Sequence, residues 1–109
     1  MRESTVAIAG CGVIAAVGNG VGALRDALRS NASGLRQCDR FNHARFQSSM
    51  VGAALDESPT LADDPALQLA STALTEARGN ARPSLANLSS DRLGLVLSTT
   101  NANIEALER

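Results

Sequence analysis

The sequence has no Lys, Trp or Tyr, only two Phe and a single His. Each scarcity removes a class of chemistry. Without lysine, neither a P-loop phosphate lysine nor a Schiff-base lysine lies within these residues. One His excludes any site built here on paired histidines. With aromatics at 2%, there is no stacking platform for unpaired bases and no aromatic belt for a membrane interface. The ten basic residues are all arginine and face eleven acids, for a formal net charge of −1. That balance gives no electrostatic footprint for nucleic acid. No run reaches the ~18 apolar residues of a membrane span, so no membrane partner is expected.

Cysteine is equally sparse. Cys11 and Cys38 lie 27 positions apart, with no CxxC spacing and no neighbouring histidines. A metal site is not expected from such a pair. Two cysteines without a secretory signal read as reduced thiols of a cytoplasmic protein. The box Ile8-Ala9-Gly10-Cys11 imitates a lipoprotein cleavage site. The segment before it sets Arg2 beside Glu3 and offers only about five apolar positions, against the roughly 7–15 of a signal core.

What is present suits one domain. The 109 residues are 44% hydrophobic and 19% charged, a composition that can build a core and does not suggest disorder. Residues 5–9 (TVAIA) form a short, partly β-branched apolar run and read as a buried strand. Residues 10–20, with four glycines, read as a loop. Val21, Leu24, Ala27 and Leu28 fall at helical spacing, with Asn19 as the expected cap and Ser33-Gly34 as the stop. Residues 35–49 read as an irregular polar segment anchored by Phe41 and Phe46. Residues 50–55 read as a weak strand and residues 56–64 as a linker. Asp64 followed by Pro65 announces a second helix, with Leu67, Ala70, Leu74 and Ala77 as its apolar stripe, widened by Leu69 and Ala73, and Arg78-Gly79 as its end. Residues 80–90 read as loop, 92–100 as a second strong strand, and 101–109 as the start of another helix.

Strands alternating with helices imply an α/β fold with a parallel sheet. Two good strands and two helices leave such a sheet incomplete, because both its faces need cover. The chain therefore reads as the N-terminal portion of a larger fold.

The candidate chemistry is thin. Gly10-Cys11-Gly12-Val13-Ile14-Ala15 matches the dinucleotide fingerprint GxGxxA after a strand. That fold needs a helix opening within the motif and an acid about 20 positions on. Here Gly18-Asn19-Gly20 interrupts, and residues 30–34 hold no acid, so the glycines read as turn formers and no cofactor is expected. His43 reads as a loop histidine, Cys11 as a packing thiol and Cys38 as an incidental surface thiol beside two arginines. Asp63-Asp64 reads as a helix-start pair. Ser98-Thr99-Thr100 closes a strand where α/β folds place ligands, and equally suits a helix N-cap.

Several pieces in order resemble the N-terminus of the β-ketoacyl-acyl-carrier-protein synthases, condensing enzymes of the thiolase-like fold. Val6-Ala7-Ile8-Ala9-Gly10, Gly12-Val13-Ile14 and Val17-Gly18-Asn19-Gly20 look like that family's opening motif. Ser33-Gly34-Leu35 looks like its SGI. Arg40-Phe41, Phe46 and Val51-Gly52 look like the next block, and Asp91-Arg92-Leu93-Gly94-Leu95-Val96-Leu97 like its DRVGVVL strand. The resemblance implies that residues 1–109 are part of an α-β-α-β-α layered fold, usually dimeric. The complete enzyme takes an acyl chain onto a Cys and joins it to a decarboxylated malonyl unit on acyl carrier protein. It does so with two His, or with one His and one Asn. None of those catalytic residues matches a position here. The implied partners are acyl carrier protein, a second ketosynthase-like subunit (homo- or heterodimer) and the rest of the same polypeptide.

One departure stands out. Where the family has a glycine-rich turn, this sequence has Ser98-Thr99-Thr100-Asn101-Ala102-Asn103. By resemblance Asn101 falls at the floor of the acyl pocket, where an unpartnered amide disfavours a long saturated chain. Two rival readings follow: an inert chain-length-factor-like subunit that pairs with an active synthase, and a stand-alone α/β binding module.

Overall fold

The structure, a computed structural model, describes residues 3–39, 41–54 and 65–100. It is a mixed α/β arrangement of two helices and two small antiparallel sheets.

The Gly-rich stretch folds back on itself. β1 (Ile14–Ala15) pairs with β2 (Gly18–Asn19) across a two-residue turn, Ala16-Val17. Two residues out of register with ordinary L-side-chain backbone are glycines: Gly18 at φ 138° and Gly20 at φ 100°. The Gly20 N–H donates to the Val13 carbonyl at 2.8 Å and closes the hairpin.

α1 (Val21–Ser30) starts directly after it and carries the predicted apolar positions Val21, Leu24, Ala27 and Leu28. The expected Asn19 cap is not made. Gly20 is the N-cap residue, and no side chain of the helix's own segment caps it. The helix also stops before Ser33-Gly34: Asn31 takes the left-handed conformation at φ 54°, and the Ala32 N–H reaches back to the Ala27 carbonyl at 2.9 Å. Asn31→Gly should therefore stabilise by up to about 1 kcal/mol, and Asn31→Val should destabilise by a similar amount. Urea unfolding followed by circular dichroism checks both signs.

Residues 35–49 are more regular than expected. β3 (Leu35–Gln37) pairs with β4 (Met50–Gly52), Arg36 opposite Val51. The Cys38 N–H extends the ladder to the Ser49 carbonyl at 2.7 Å. The enclosed loop holds Phe41 and Phe46 edge to face, ring centroids 5.8 Å apart.

α2 (Pro65–Leu85) begins at Pro65 as expected and outruns its expected end by six residues. Gly79 sits inside it without the positive φ that would end a helix. Residues 80–85 are thus helix, not loop. A 3₁₀ turn (Ser90–Arg92) follows. The Asp64 cap, the linker at 56–64 and the helical pattern from 101 lie outside the described residues.

Two expectations are overturned. Both ladders are antiparallel, where a parallel sheet was expected. Neither residues 5–9 nor residues 92–100 form a strand. Their backbones find no ladder partner among the described residues, and Val6, Ile8 and Val96 are 85% exposed or more. A strand is a paired object, and an apolar run without a pairing edge is not one. Among the described residues only Cys38 and Ala81 are buried apolar side chains.

Candidate functional site

The most constructed region is the seat of the Gly-rich loop on α2. Ala73, Ala77 and Ala81 recur every four residues and present one small-residue face. Gly10 and Gly12 lie directly on it. A Cβ on Gly12 would overlap the Ala73 carbonyl oxygen and stand 2.7 Å from its carbonyl carbon. A Cβ on Gly10 would overlap the Ala77 carbonyl oxygen and stand 2.8 Å from the Ala81 nitrogen. The glycines are there because backbone meets backbone. Of the expected stripe, Ala73 and Ala77 lie on this contact face, whereas Leu67 and Leu74, at 51% and 41% exposed, do not.

Two polar side chains of α2 pin the same loop. Glu76, the one acid of α2, accepts the Val13 N–H at 2.9 Å on one carboxylate oxygen and the Val21 N–H at 2.8 Å on the other. Val21 is the first residue of α1, so its cap comes from another helix, 55 positions away in sequence. Hydrogen bonding to the Val13 N–H, then to the Val21 N–H, holds the Glu76 carboxyl below its ordinary value of 4.5, against a smaller opposing effect of desolvation. Asn80, one turn further on, donates its amide to the Cys11 carbonyl at 3.0 Å.

This arrangement bears on the GxGxxA motif. In a dinucleotide fold, the free N–H groups at a helix start face a pyrophosphate. Here the N–H of Val21 faces a carboxylate that belongs to the protein. A second anion at that point would meet like charge. The loop's chemistry is spent on packing.

The other candidate residues are dispersed. The Cys11 side chain is exposed and the Cys38 side chain buried; both are free thiols. Cys38 was expected at the surface, and its place beside the β3–β4 ladder explains the difference. His43 is half-buried in the loop between the two Phe, its carbonyl accepting the Phe46 N–H at 2.9 Å. Ser98, Thr99 and Thr100 are exposed, in no helix or strand. Asp63, Asp64 and Asn101 lie outside the described residues. Among the described residues, no group of three His, Cys, Asp or Glu side chains is placed to hold a metal ion. No helix among them is long and apolar enough to cross a membrane. Sequence reasoning missed Glu76 and Asn80. The available signal was a single acid set at helical spacing beside Ala73 and Ala77.

Comparison of the chain with protein-family models, with curated proteins and with solved structures found no match.

Proposed function

We propose that this chain is part of a β-ketoacyl-acyl-carrier-protein synthase. The observation that carries the reading is the ordered series of motifs, from Val6-Ala7-Ile8-Ala9-Gly10 through Ser33-Gly34-Leu35 to Asp91–Leu97, at spacings natural to that family. The close seat of Gly10 and Gly12 on α2 supports it, because it gives the opening glycines a structural task within one unit. The apolar segments at 5–9 and 93–97 support it too. They are the segments we assign to inner strands of a thiolase-like layered fold, paired by further strands of the same polypeptide. In that reading the protein is a cytoplasmic, dimeric acyltransferase that works with acyl carrier protein and needs no cofactor. Its nucleophile and basic partners are contributed outside residues 1–109.

The reaction is a decarboxylative Claisen condensation. An acyl group passes from its carrier thiol to the enzyme cysteine as a thioester. The malonyl unit on acyl carrier protein loses carbon dioxide, and the carbanion so formed attacks the thioester carbonyl. The carbon–carbon bond forms as the cysteine thiolate leaves. Asn101, by resemblance at the pocket floor, shifts the preference away from long saturated chains. The same departure, with Ser98 and Ala102-Asn103 in place of glycines, favours a second reading as an inert chain-length-factor-like subunit of a heterodimer.

The polypeptide carrying this sequence, purified and mixed with acyl- and malonyl-acyl carrier protein, should gain an acyl adduct on one cysteine and yield a carrier-bound chain two carbons longer. Intact-mass spectrometry reads both. No adduct, but stable pairing with an active synthase, would move the protein to the second reading. Neither adduct nor pairing would overturn both.

A further inference from the structure

We propose that the outer face of α2 binds a phosphate monoester through Arg78 and Arg82. A cleft of about 340 Å³ lies there, lined by Thr75, Arg78, Gly79, Arg82, Leu85 and Ala86. The two arginines stand one helical turn apart on the same face. Both are exposed, and neither has an ion-pair or hydrogen-bond partner among the described residues. Like charges at this spacing repel, so the pair weakens the free helix. The helix dipole accounts for Arg82, which lies in the last turn. It does not account for Arg78, which lies further in, because the dipole effect fades beyond that turn.

Gly79 between them is the second, independent observation. Glycine inside a helix is less favourable than alanine. At Gly10 and Gly12 packing demands it. At Gly79 packing does not: a Cβ there would meet nothing within 4 Å. Gly79 lines the cleft beside the two arginines, and without a side chain it leaves the helix backbone bare at that point. Pro83 withholds the N–H that would reach the Gly79 carbonyl, which loosens the helix locally but leaves that open space unexplained.

The chemistry of the cleft selects the ligand. Two guanidinium forks match phosphate oxygens in bidentate fashion. The nearest acid along the helix, Glu76, is engaged on both oxygens by Val13 and Val21. Thr75 donates its hydroxyl to the Ser71 carbonyl and offers no third donor, so the arginines carry the binding. Leu85 and Ala86 give one end of the cleft an apolar wall, which fits the organic part of an ester better than free phosphate.

The test is a titration of the full chain with phenyl phosphate, read from ¹H–¹⁵N spectra, with phenol as the uncharged control. Saturable shifts confined to residues 75–86 are expected with phenyl phosphate and not with phenol. Arg78→Gln and Arg82→Gln should each weaken binding about tenfold, the size of a lost charge-assisted hydrogen bond. Gly79→Leu should leave helix content intact by circular dichroism and abolish binding by filling the cleft. Phosphatidic acid vesicles distinguish a lipid headgroup from a small ester. Binding to vesicles alone would overturn the proposal. So would the absence of saturable shifts in the parent chain, or unchanged affinity in the double arginine variant.

Discussion

Gly12→Ala is expected to destabilise the folded chain by about 3 kcal/mol, the upper range for forced overpacking. The added methyl would overlap the Ala73 carbonyl oxygen and crowd the Ala77 nitrogen, 2.9 Å away. These are backbone atoms in the middle of α2, so no rotamer change relieves the clash. Either the loop lifts off the helix or the helix bends. Gly22→Ala supplies the control. Gly22 lies in α1, and the nearest atom to its added methyl is the end of the Arg25 side chain at 3.9 Å. That change should stabilise by about 0.5–1 kcal/mol, because alanine loses less backbone entropy in a helix. The two substitutions add the same methyl to glycines ten positions apart and should move stability in opposite directions. Urea unfolding of both variants beside the parent measures this. Equal stability of Gly12→Ala and the parent would mean that the loop does not rest on α2.

That contrast also shows which features the sequence could convey. α1 was readable because Val21, Leu24, Ala27 and Leu28 repeat at helical spacing, and such a signal is local. The start of α2 was readable for the same reason, through Pro65 at its first position. Its end was not. Arg78-Gly79 has the composition of a helix stop, but glycine only permits the left-handed turn and does not compel it. β3 was missed because Leu35, Arg36 and Gln37 are all exposed and show no alternation. Their strand character comes from Met50, Val51 and Gly52 across the ladder. Residues 5–9 and 93–97 fail in the opposite sense. Their side chains suit a strand, and the described residues offer them no edge to pair with. The candidate site follows the same division. The small residues at 10, 12, 73, 77 and 81 were visible one by one, and only the fold brings them together. Glu76 was visible as an isolated acid, but the two amides that use it sit 63 and 55 positions earlier.

Glu76 should make stability depend on pH in one direction. Its folded-state carboxyl titrates below the ordinary value of 4.5 because the ionised form accepts two backbone N–H bonds, from Val13 first and then Val21. A carboxyl lowered on folding contributes stability above its unfolded value, and that contribution is lost as pH falls through the folded value. The stabilisation is therefore complete at neutral pH, and it declines once the pH drops below 4.5. Glu76→Gln removes the titrating group. Its amide keeps one acceptor oxygen but turns an NH₂ toward the second backbone N–H, donor against donor. The parent should be the more stable protein at pH 7, and the difference should narrow steadily on acidification. Urea midpoints of parent and variant between pH 7 and about pH 3 test the sign. Amide exchange locates the effect: at pH 7 the N–H groups of Val13 and Val21 should exchange faster in Glu76→Gln. Amides in the second half of α1, tied by helix bonds remote from Glu76, should change little. A stability difference that stays constant across the pH range would mean that the Glu76 carboxylate does not hold the loop and α1 together.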